Sequence, residues 1–80
     1  ASLPIWLRVD QLPAAERSAL PPLKVSMHVY AEDPAKRAVL IDGQRYHEGQ
    51  WIAEGVQLKA IRRDGSLLAV NGRELLLDRP

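Results

Sequence analysis

The sequence predicts a mainly β fold, a small sandwich or roll of two antiparallel sheets of about three strands each, with one short helix near its start. Three observations carry this. From residue 23 onward apolar and polar residues alternate, the period of a half-buried strand. Three dipeptides, Asp42-Gly43, Asp64-Gly65 and Asn71-Gly72, separate apolar runs, and such pairs tolerate the positive φ that two-residue hairpin turns require. Four of the six prolines precede residue 23, which leaves no room for a long element there.

Within residues 1–22 one helix of about two turns fits, because Pro13 suits a first helical turn and Pro21-Pro22 stops it. Leu12, Ala15 and Ala19 would share its face. Ile5, Trp6 and Leu7 are apolar enough to lie on the domain. The organisation expected is therefore a Pro-rich linker end over 1–22 and a β domain over 23–78.

The first strand is read from Leu23 to Tyr30, with Val25, Met27 and Val29 inward and Lys24, Ser26, His28 and Tyr30 outward. Asp33-Pro34 marks a turn, since an acidic residue before proline starts one. Arg37 to Ile41 and Gln44 to His47 then flank Asp42-Gly43, a register that sets Val39 opposite Tyr46. Glu48-Gly49 and Glu54-Gly55 bracket a short connection between sheets in which Trp51 and Ile52 are expected to be buried. Val56 to Arg63, Ser66 to Val70 and Arg73 to Asp78 form a meander. Two-residue turns would align Ile61, Leu68 and Leu75 across it, and the changed parity of Val56, Leu58 and Ala60 calls for a bulge near Ala60.

Composition narrows the function. Eighty residues make one domain at most, and a chain this short buries only about 60% of the surface its unfolded form exposes. A net charge of +1 gives no broad attraction to nucleic acid or membrane. With no cysteine there is no disulfide frame or thiolate metal site. No apolar run approaches the ~18 residues of a spanning helix. The chain starts at Ala1 rather than Met and ends on Arg79-Pro80, as a piece of a longer protein would.

Chemistry is weakly signalled. His28, His47, Glu32 and Asp33 are potential ligands, but no pair of them is spaced to preset a metal site. Ser2, Ser18, Ser26 and Ser66 lie in no nucleophile motif, so no enzyme, cofactor or metal is expected. Lys59, Arg62 and Arg63, with Arg37 and Arg45, could form a basic patch, yet only four aromatic residues accompany it, too few to stack a nucleic acid. Strand addition fits better, because a domain of few strands has open edges. Leu23 to Tyr30 has no hairpin partner next to it in sequence and is the candidate edge.

The run His28-Val29-Tyr30, Asp33-Pro34, Arg37, Val39-Leu40-Ile41, Gly43, Tyr46, Glu48-Gly49, followed by Glu54-Gly55, Ile61, Asp64-Gly65 and Gly72, resembles the periplasmic domain of the type II (general) secretion pathway protein B family. The resemblance implies a non-catalytic periplasmic adaptor, part of a single-pass inner-membrane protein. Such an adaptor would bind the N-terminal periplasmic domain of the outer-membrane secretin and help assemble or position it. The A (ATPase) or C component is a further possible partner. Lys24, Val25, Ser26, Met27, His28, Val29 and Tyr30 are the expected contact residues. The alternative reading is a peptidoglycan-binding module of an envelope complex.

Overall fold

The computed structural model describes residues 6–80; Ile5, expected to lie on the domain, and Pro4 fall outside the described residues. Among the described residues eight strands form two sheets. In chain order they are β1 (Leu7–Arg8), β2 (Val25–Val29), β3 (Ala38–Ile41), β4 (Gln44–Tyr46), β5 (Trp51–Ala53), β6 (Val56–Ile61), β7 (Gly65–Val70) and β8 (Arg73–Asp78). The large sheet has the order β1-β8-β7-β6-β5 and the small one β2-β3-β4. The architecture is the mainly β one expected, with five and three strands instead of about three each.

The surplus comes from two segments read otherwise. Gln50 to Ala53 is more than a connection: β5 pairs with β6, and Gly49 and Gln50 extend the pairing through bonds to Leu58 (2.7 and 2.8 Å). Trp51 is therefore on an edge strand and 62% exposed, where burial was expected. The Pro-rich segment contributes β1, which runs parallel to β8 with Leu7 beside Leu75. It also contributes Leu12, which joins the core. After Leu12 the helix α1 (Ala14–Ser18) is shorter than expected, and Ala15 and Ala19 are exposed rather than packed.

Two hairpins have the expected turns. Asp42 and Gly43 have φ of 52° and 81°, Asn71 and Gly72 of 50° and 82°, so both are the two-residue type that matches strand twist. Val39 pairs with Tyr46. The third turn lies one residue earlier: Arg62 N–H donates to Gly65 O (2.8 Å), which centres the turn on Arg63-Asp64 and starts β7 at Gly65. The expected bulge lies between Leu58 and Ala60. Together these shifts put Leu58, not Ile61, opposite Leu68, so the ladder across the meander is Leu58, Leu68 and Leu75.

The core joins both sheets. Val39 and Ile41 of β3 pack with Val56, Leu58, Ile61, Leu68, Val70, Leu75 and Leu77 of the large sheet. Burial of such side chains contributes about 1.5–3 kcal/mol each. One buried side chain does not fit: Ser66 is 1% exposed and its Oγ has no hydrogen-bond partner among the described residues. Because an unsatisfied buried hydroxyl costs about 1–3 kcal/mol, Ser66→Ala is expected to raise stability by about 0.5–1 kcal/mol. Urea unfolding checks it, and a loss of stability would mean that the hydroxyl is satisfied in solution.

Candidate partner-binding edge

Strand β2 has β3 as its single neighbour, so its other side is an open edge among the described residues. Its facing differs from simple alternation. Val25 pairs with Ile41 and Met27 with Leu40, which makes Ser26 an extra residue and shifts the register. After this bulge the parity reverses. His28 pairs with Val39 on the inner side, and Tyr30 continues that side. Met27 and Val29, expected inward, are 40% and 38% exposed on the outer face, next to half-buried Leu40.

An outward apolar pair on an edge is unusual, because edges are normally blunted by charge or proline. From Val25 to Val29 there is neither. The bulge at Ser26 is the one device of that kind on the strand. His28 adds a second anomaly, since its Nε2 is buried without a partner among the described residues. The strand therefore offers open backbone groups, an apolar face and a histidine turned into the domain.

At its end β2 runs into a polar joint. Arg37, half-buried, donates through Nε to Ala31 O (2.5 Å) and through its terminal nitrogens to Glu32 O (3.2 Å), Tyr30 Oη (3.3 Å) and Glu48 Oε2 (3.2 Å). Glu48 Oε2 also accepts from the backbone N–H of Ile61 in β6 (2.7 Å). One carboxylate thus ties the loop after β2 to the large sheet, with both charged side chains largely covered, 17% and 21% exposed. The local fold explains the placement. Asp33 accepts from Ala35 N–H (3.0 Å) and caps the turn Pro34–Lys36, which swings Arg37 back under Tyr30.

The basic residues do not all form one patch: Arg37, Arg62 and Arg63 border one groove, and Lys59 and Arg45 are not part of it. Arg37 belongs to this joint. Lys59 pairs with Glu74, whose carboxyl is held below the usual carboxylate range by the Lys59 ammonium and then by the Trp6 indole N–H. Arg62 pairs with Asp64 (3.2 Å) and lies 4.5 Å from the centre of the Trp6 ring. Arg63 lies 5.1 Å from the centre of the Tyr30 ring, with Arg37 4.6 Å from it. Among the described residues no three His, Asp or Glu side chains gather as a metal site would require. His47 instead holds the Arg37 carbonyl through Nδ1 (2.9 Å).

Comparison with known proteins bears on the same segment. Residues 20–79 match the family described as type II secretion system protein B. The chain belongs to this family. It is 39% identical over 69 residues to general secretion pathway protein B of Aeromonas hydrophila, covering 86% of this chain and 30% of that protein. To the protein of the same name in Dickeya dadantii it is 36% identical over 64 residues, covering 80% and 29%. The chain thus spans about a third or less of these relatives. The crystal structure of Dickeya dadantii GspB from the type 2 secretion system superposes with a TM-score of 0.69 at 34% identity, over 75% of this chain and 76% of that one.

The residues that resemble the family in sequence meet in three dimensions: Tyr30, Asp33-Pro34, Arg37, Glu48 and Ile61 all build the joint below β2. Glu48 was the residue whose role had no sequence signal, because a single acid before a glycine reads as a turn. None of the described helices is long and apolar enough to cross a membrane.

Proposed function

We propose that this domain is a non-catalytic periplasmic adaptor of the type II secretion system that docks on the N-terminal periplasmic domain of the secretin by adding a strand to β2. The observation that carries this reading is the open edge of β2 with Met27 and Val29 exposed beside it. Backbone bonds from residues 24–30 would supply affinity and the outward apolar pair a preference for alternating apolar partners. Membership of the type II secretion system protein B family supports a partner within the secretion machinery. A strand of five residues makes an interface at or below about 1,200 Å². Binding would therefore be weak for one copy and become effective through tethering to the inner membrane and the many copies in a secretin.

An amide chemical-shift titration with the isolated secretin domain tests this. Shifts are expected on Val25 to Tyr30, and Met27→Pro should reduce affinity at least tenfold. Val29→Glu, which spares the backbone, should weaken binding too while the spectrum remains that of the folded domain. Saturating partner with no shifts on β2 would remove the secretin as the partner of this edge.

A further inference from the structure

The groove where β2 ends is lined by Tyr30, Arg37 and the run from Ala60 to Asp64. Three guanidinium groups belong to it, of Arg37, Arg62 and Arg63. Their charges are unequally answered. Glu48 is shared between Arg37 and the Ile61 N–H, and Asp64 faces Arg62 at 3.2 Å. Arg63 makes no ion pair among the described residues, yet it is held near the Tyr30 ring, so its charge is positioned rather than free to sweep the solvent. Cation and ring attract at this separation, which pre-orders the donor fork of the arginine.

We propose that this groove is a carboxylate site, and that it receives an acidic side chain of a peptide segment lying along or just beyond β2. The inference deepens the docking reading, and rests on it only for where the incoming strand lies. A peptide carboxylate fits better than a nucleic acid for two reasons. Two guanidinium groups already lie within 5.1 Å of the centre of the Tyr30 ring, which leaves little of it for stacking bases. One unanswered arginine matches one carboxylate, whereas tracking a phosphate backbone needs a series of cations. The incoming segment would then carry alternating apolar residues toward Met27 and Val29 and a glutamate or aspartate level with Tyr30. Arg–carboxylate pairs are commonly bidentate, which would set the register of the added strand.

The test needs no secretin. The ¹⁵N-labelled domain is titrated with a capped hexapeptide of alternating valine and glutamate, and with the same peptide carrying glutamine for glutamate. Shifts are expected at Tyr30, the Arg37 side chain and Arg62 to Asp64, at least fivefold weaker for the glutamine peptide and absent in Arg63→Ala. Arg63 is an exposed turn residue, so that variant should fold. Shifts scattered over Lys36, Arg45, Arg73 and Arg79, equal response to both peptides, or persistence at Arg62 to Asp64 in Arg63→Ala would overturn the site. An oligothymidylate that perturbs the same residues more tightly than the peptide would overturn it in favour of nucleic acid. If the secretin domain shifts β2 equally in wild type and Arg63→Ala, edge docking stands and the carboxylate site falls.

Discussion

Replacing Gly65 by alanine is expected to destabilise the domain by about 3 kcal/mol, from positive-φ strain together with an enforced backbone shift. Gly65 has a φ of 154°, a conformation L-residues rarely adopt, and a Cβ there would sit 2.5 Å from the carbonyl oxygen of Leu77. That oxygen is backbone of the central pair β7 and β8, in which Gly65 lies opposite Asp78 and Ser66 opposite Leu77. It cannot swing away as a side chain could. Gly43 is the control: its φ of 81° also favours glycine, but no atom lies within 4 Å of its would-be Cβ, so Gly43→Ala should cost only about 1 kcal/mol. In a domain this small the Gly65 variant should melt roughly 10–20 °C lower. Equal losses in the two variants, read by urea or thermal unfolding, would show that the close approach to Leu77 is not what excludes a side chain.

Removing the Glu48 carboxylate is expected to cost about 2 kcal/mol, because it leaves Arg37 uncompensated and the Ile61 N–H without an acceptor. The figure sits below that of a fully buried pair because both side chains keep some contact with water, 17% and 21% exposed. Glu48→Gln separates the two contributions. The amide can still accept from Ile61 while losing the charge toward Arg37, so it should lose about half as much. In the Glu48→Ala and Arg37→Ala double variant the losses should fall short of additive, since the residues act as one unit. Strict additivity would mean that the joint is two separate contacts.

Turn chemistry was the most legible part of the sequence. Asp42-Gly43 and Asn71-Gly72 demand positive φ at adjacent positions, and that demand is local, so the structure repeats it. Asp64-Gly65 looks the same in sequence, yet there the glycine is needed for space against Leu77 rather than for the turn, a non-local requirement. Bulges divided in the same way. The one between Leu58 and Ala60 announces itself by a change of parity, whereas that at Ser26 hides in a run whose alternation looks unbroken. It turns Met27 and Val29 outward while Val25 keeps its expected place on the core, so the edge was found and its two faces were exchanged only beyond Ser26. Trp51 was misplaced because an aromatic residue reads as core, and only the sheet order reveals that its strand lies at the rim. The joint around Glu48 joins residues 11 and 13 apart in sequence and leaves no periodic trace.

The parallel pairing of β1 with β8 sets an order of events. Leu7 meets Leu75, so this contact closes a loop that spans every other strand of the two sheets, and contacts of large sequence separation form late because their loop entropy must be overcome first. The hairpins of β6, β7 and β8 have short loops and can assemble by themselves. During synthesis β1 leaves the ribosome before the other seven described strands and therefore waits for β8, and until β8 is complete Trp6 and Leu7 have no edge on which to lie.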